Sequence, residues 1–395
     1  MTASLVLNTW RKGVVDWSMK TAIGAFLLIV TGSAAHGQAS PAAIHLAVGF
    51  GVDTTGSPNG EIFHLWKAYL ESRPSCATPS PSWSSAERAM WPSGDLLCNH
   101  VYMGFSTFTV VNLEAAQGMD STYFIRTLVG RVDSGSFYPL ALYRTYAVRE
   151  VGHWVLANAL PRETRTWRHE TIGRVTFVFP GTHALARSHA EGAARFVDSL
   201  SESWGLKPPA SIGYYFTDNP KDVQRAMGLD FTPAPDTVWG NADTGNSLVF
   251  VGSSQDGESY RHELAHLVFT PFLSAHHPSR LVNEGLATWT GGSAGLRFRQ
   301  LMPALSRYLA EHPSLTLEQI WADAPRREGS LDVGYDGFAV LCDLVYAKGG
   351  LPGITALADA GRDSTAVLNT AARVIGVPRD RLDGAWRERV AELAK

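Results

Sequence analysis

Cysteine is scarce, with three residues (Cys76, Cys98 and Cys342) in a chain of 395. That rules out Cys-rich metal motifs and limits any disulfide framework to a single bridge. Neither sign of charge is in large excess. The formal charge is −3, and no dense Lys/Arg patch stands anywhere, so there is no electrostatic reason to expect a nucleic-acid partner. Beyond residue 40 there is no run of eighteen apolar residues, and apolar stretches such as "FAVLCDLVY" (338–346) are too short for a span and end at Gly349-Gly350. No stable membrane insertion is expected. No internal repeat is visible. What remains is 45% hydrophobic and 18% charged residues, the balance of a folded globular protein with room for two ordinary domains.

The first forty residues stand apart. "MKTAIGAFLLIVTGSAAHGQA" places Lys20 ahead of an apolar stretch from Ala22 to Val30, followed by small residues. This is the layout of a secretory signal peptide, with cleavage expected after Ala35 or Ala39 and Met19 as a candidate initiator. The expected destination is the periplasm or the extracellular space. In such a compartment Cys76 and Cys98, which flank a Pro/Ser-rich loop, are candidates for one disulfide. Cys342 lies in an apolar run and is expected as a buried free thiol.

From residue 40 to 170 the pattern is that of a small α+β accessory domain. "EIFHLWKAYLE" (61–71) has helical spacing, with Phe63, Leu65, Trp66 and Leu70 offered to one side. "MGFSTFTVVNL", "STYFIRTLVGRV", "LALYRTYAVRE" and "HWVLANAL" read as strands, the last two forming a hairpin about Val151-Gly152. One helix on a curved antiparallel sheet resembles cystatin-like or NTF2-like domains. No catalytic grouping occurs there, and Tyr143 and Trp154 are read as packing residues. From 171 to 395 strands at "VTFVFP", "ASIGYYFT" and "NSLVFVG" alternate with helices, and everything after them has helical period. The expected class is α+β, with a mixed-sheet lobe followed by a mainly helical lobe.

The chemistry concentrates at "SYRHELAHLVF" (259–269). Residues four apart on a helix share a face, so His262 and His266 can aim two imidazole nitrogens at one point, while Glu263 can reach a water held there. Zinc catalysis needs a third protein ligand and one open position. Glu284, in "LVNEGLATW", is the candidate: it stands 18 residues after His266, in a helical period beginning near Ser279, beyond the breaker-rich linker "TPFLSAHHPS". Two neutral imidazoles and one carboxylate leave Zn²⁺ with net positive charge, which acidifies its water. His276 and His277 are loop or rim residues in this reading, and Asp256 is a helix cap.

With "HELAH" (262–266) and "NEGLATW" (283–289) the sequence resembles the gluzincin metallopeptidases, and most closely their peptidase MA-like branch, distantly related to the M1 aminopeptidases. The likeness extends loosely over residues 172–395. It implies zinc bound by His262, His266 and Glu284, Glu263 as general base, and hydrolysis of a peptide or protein substrate. Family members often use a tyrosine from a later helix at the developing oxyanion, and "GYDGFAVLCDL" offers Tyr335. Two departures stand out. No G-x-M-E-N-like segment precedes the motif, which argues against N-terminal exopeptidase action. Thr288 stands where thermolysin-like relatives carry an Asp supporting the first His, so the sequence identifies no partner for His262. The alternative expectation is a non-catalytic exported binding module in which zinc braces a recognition surface. Oligomeric state is not legible in the chain.

Overall fold

The computed structural model describes residues 45–72, 78–96, 107–119, 121–133, 135–232, 238–255, 257–323, 327–328 and 331–395. The expected export signal, Cys76, Cys98 and Asp256 lie outside the described residues. The chain is α+β. Its first part runs β1 (His45–Val48), α1 (Asn59–Ser72), α2 (Ser85–Met90), β2 (Thr107–Ala115), β3 (Thr122–Asp133), β4 (Ser136–Glu150), β5 (His153–Ala157) and α3 (Leu160–Glu163). The second sheet region follows as β6 (Arg168–Ile172), β7 (Val175–Phe179), α4 (Arg187–Ser203), β8 (Ile212–Thr217), α5 (Pro220–Ala226), β9 (Leu229–Phe231), β10 (Val238–Asp243) and β11 (Leu248–Ser253). Helices then dominate: α6 (Arg261–His276), α7 (Arg280–Gly291), α8 (Phe298–Glu311), α9 (Leu317–Asp323), the short pair β12 (Arg327–Glu328) and β13 (Leu331–Asp332), α10 (Val333–Asp359), α11 (Ser364–Ile375) and α12 (Leu382–Leu393).

The first sheet has the order β1-β2-β3-β4-β5, antiparallel except that β1 joins β2 in parallel. The β4–β5 hairpin turns at Val151 (φ 49°) and Gly152 (φ 83°), the two positive-φ positions a tight two-residue turn requires. On α1 the buried stripe is Ile62, Trp66, Tyr69 and Leu70, at helical spacing, whereas Phe63 and Leu65 sit at its half-buried margins. The predicted face was therefore rotated. Ile62 and Tyr69, not Phe63 and Leu65, complete the core stripe.

The second sheet, β10-β11-β8-β7-β6, is mixed, and β10 is its edge. Strand alternation lets β11 serve two cores. Val249 and Val251 join the larger core with α4 and α6, while Leu248 and Phe250 face the other way into the core of the first sheet. Strand β9 goes further and pairs directly with β4, with Asp230 bonded to Arg126 (2.8 Å) and Arg144 (3.2 Å). Neither β9 nor β10 has the long apolar period that would mark a strand in sequence.

In the helical region α10 runs 27 residues, long and apolar enough by length and composition to cross a membrane. The break expected at Gly349-Gly350 is there: Gly350 (φ 59°, ψ −154°) leaves helical geometry, so α10 is two helices meeting at a kink, the second running on to Asp359. Residues Val333 to Cys342 are buried throughout, so this half is packed as the central core helix. Cys342 is a buried free thiol, its pKa pushed up by burial.

Candidate metal centre

Helix α6 begins at the end of a 3-10 turn (Gly257–Ser259) that follows β11, and its first two turns carry His262, Glu263 and His266. The reversal into α7 is tighter than the sequence suggested. Pro271 is accommodated within α6, which runs on to His276, and only residues 277–279 separate the helices. His277 adopts a left-handed conformation at the C-cap (φ 50°), and the Ser279 hydroxyl caps α7 by accepting from the Val282 amide (3.2 Å). The two helices therefore lie side by side, and Glu284 comes level with the His pair.

Three ligand atoms meet there. Nε2 of His262 and Nε2 of His266 are 3.2 Å apart, and Oε2 of Glu284 is 3.2 Å from the first and 3.4 Å from the second. All three residues are buried, and the group could hold a metal ion. The outer nitrogens fix the tautomers. His262 Nδ1–H donates to the Gly292 carbonyl (2.9 Å), and His266 Nδ1–H donates to Oδ1 of Asn283 (3.2 Å). With each imidazole proton committed outward, both Nε2 atoms turn lone pairs toward a carboxylate oxygen. Three electron-pair donors facing one another at this separation form a group that could hold a cation between them.

The partner of His262 that the sequence could not identify is thus a backbone group. Thr288 is buried but its Oγ1 has no partner among the described residues, and the support comes one turn later from Gly292. Gly292 caps α7 at φ 85°, ψ −169°, a conformation open to glycine alone, and this turns its carbonyl onto the imidazole. Asn283 was also missed. Its only sequence signal is adjacency to Glu284.

The electrostatics separate the two carboxylates. Burial alone would raise the pKa of Glu284, but positive charge on the imidazoles of His266 and His262, the charge a bound cation would supply in their place, outweighs it and holds the group well below the usual carboxylate range. Glu263 is pushed up to about 7, chiefly by burial. It accepts no hydrogen bond among the described residues, and its Oε2 is buried without a partner. The side chain is pressed against edge strand β10: a Cβ at Gly240 would stand 2.7 Å from Oε1 and 2.9 Å from Cγ of Glu263. Glycine is needed there for close approach, a role a lone glycine in a strand can signal but not locate.

Tyr335, from the first turn of α10, reaches the same place. Its ring lies parallel to that of His262 (8°, centroids 6.2 Å apart) and its hydroxyl is bonded by Arg280. His276 instead pairs with Asp359 (2.7 Å), away from the centre. No protein-family model matches the chain, and no curated protein matches it.

Proposed function

We propose that this protein is a zinc-dependent hydrolase of peptide bonds, a gluzincin-like metallopeptidase exported from the cell. The observation that carries the reading is the convergence of His262, His266 and Glu284 beside a buried carboxylate that has no hydrogen-bond partner among the described residues. Donor separations of 3.2–3.4 Å suit zinc bonds of about 2.0–2.1 Å, which subtend angles of roughly 100° over such a triangle, close to tetrahedral. Two imidazoles and one carboxylate are a donor set that zinc favours. The ion, when bound, supplies Lewis acidity toward the scissile carbonyl and toward water.

The chain's own residues supply the rest. Glu263 accepts the proton of the attacking water and returns it to the departing amine, and its unpaired, buried Oε2 is what makes it available. Tyr335 donates a hydrogen bond to the carbonyl oxygen as negative charge develops there. Gly292 and Asn283 hold the imidazoles in the tautomer that leaves each Nε2 free. Every one of these residues lies between 262 and 335, so we read the first sheet and its helices as an accessory region, cystatin-like or NTF2-like in its helix-on-sheet packing.

The test is digestion of a peptide library by zinc-loaded protein, with and without chelator, beside the Glu263→Gln variant. Cleavage that chelator and the substitution both abolish is the expected result. A metal-loaded preparation that cuts nothing returns the chain to a non-catalytic module braced by its metal.

A further inference from the structure

We infer that Arg280 is a positioning residue that fixes the hydroxyl of Tyr335 beside the metal centre and leaves its only proton free for a substrate carbonyl oxygen. This rests on the hydrolytic reading above. Arg280 and Glu284 are one turn apart on α7 and share a face. The start of that helix is fixed by Ser279, and the start of α10 by Asp332, whose Oδ1 accepts from the Tyr335 amide (3.0 Å). Two capped helix starts are thereby brought together, each contributing one polar side chain from its first turn.

The bond between them has a definite direction. Arg280 Nη2 lies 2.8 Å from the Tyr335 hydroxyl. A guanidinium has donors and no acceptor, so the phenol oxygen must accept. The phenol has one proton of its own, and no acceptor among the described residues takes it. Tyr335 is 2% exposed, which keeps bulk water from competing for that proton. Its ring is stacked over His262, so the unused O–H belongs to the metal site and not to the surface. The charge of Arg280 is itself held in place, since it interacts with the carboxylates of Glu284 and Asp332. A cation bonded to the phenol oxygen also makes that phenol a stronger donor toward an oxyanion.

A purely structural role, tying α7 to α10, predicts something different, and a double-mutant cycle separates the two. Tyr335→Phe should lower kcat about 10²–10³-fold, the loss typical of one oxyanion donor, and Arg280→Gln about 10–100-fold with KM nearly unchanged. In the Tyr335→Phe background Arg280→Gln should then cost less than about 3-fold, because the group it positions is gone. Arg280→Lys should recover part of kcat. Equal losses in both backgrounds, or a loss confined to KM, would overturn the proposal. A second readout needs neither metal nor turnover: the ¹³Cζ resonance of Tyr335 in metal-free protein should move on Arg280→Gln, and an unmoved resonance would also overturn it. If the zinc-loaded wild type cleaves no peptide, the hydrolytic reading fails separately. The cycle is then read on acetohydroxamate binding to Co²⁺-loaded protein, where Arg280→Gln should weaken binding only while Tyr335 is present.

Discussion

Two buried glutamates show what the two regions of this molecule do differently. Glu87, in the core of the first sheet, has donors on both oxygens: the Asn158 amide on Oε1 (2.9 Å), and Trp91 Nε1 (3.0 Å) and Asn158 Nδ2 (2.8 Å) on Oε2. Glu263, buried as deeply, has none among the described residues. A buried carboxylate that is fully bonded ties its surroundings together. One left unbonded costs stability, and such costs collect where a group must remain free to exchange a proton. The lesson is in the contrast, since burial alone would class both as structural.

The comparison can be broken most decisively by chemistry. Glu263→Gln should reduce kcat by about 10²–10⁴-fold while zinc content, read by elemental analysis, stays at one ion per chain. In the His262→Ala, His266→Ala double variant zinc content should collapse; unchanged metal would remove the basis of the comparison. Glu87→Ala is the converse experiment. It leaves three buried donors unpaired, so it should destabilise the fold by about 3–5 kcal/mol in urea unfolding without altering kcat of the folded fraction.

A pH experiment sharpens the same contrast. The Glu263 carboxyl is raised from 4.5 to about 7 in the metal-free fold, so between those values the folded protein binds its proton more tightly than the unfolded chain does. Stability of metal-free protein should therefore fall as pH rises through that window. Glutamine cannot ionise. Metal-free Glu263→Gln should then exceed the wild type by up to about 3 kcal/mol at pH 8 and by almost nothing below pH 4.5. Equal stability curves would mean that the buried carboxylate is satisfied after all. The smallest effect is expected at Gly240→Ala. The added methyl presses on Glu263 and Tyr260, which should cost about 1–3 kcal/mol of stability and lower kcat by displacing the base, with zinc content unchanged.

Much of the site was legible because its spacing is local. His262, Glu263 and His266 depend only on helical period, and Glu284 follows because a helix–turn–helix returns the chain to its start. The longer helices and the strands β7, β8 and β11 were legible for the same reason, each carrying its own periodicity, whereas the short helices α2, α3 and α9 were not read. Strand β10, with only one apolar side chain buried, and the three-residue β9 carry too little pattern to show it. Asn283, Gly292, Arg280 and Gly240 were hidden because their significance lies in what they face. A backbone carbonyl on an imidazole, or a glycine under a carboxylate, leaves no mark on composition.

Period and spacing along one or two helices were enough to read from the chain alone that His262, Glu263, His266 and Glu284 meet at one place, and that the class is α+β. How those side chains are set against one another came from the packing of whole elements. That packing chose which imidazole nitrogen faces inward, by setting Gly292 and Asn283 on the outer ones, and it bound the phenol of Tyr335 to Arg280 across two helix starts. It also made one strand, β11, serve two cores at once. Hydrogen bonds and close approaches between distant segments depend on where whole elements pack, and that is set by the shared burial of many side chains rather than by any short stretch of chain.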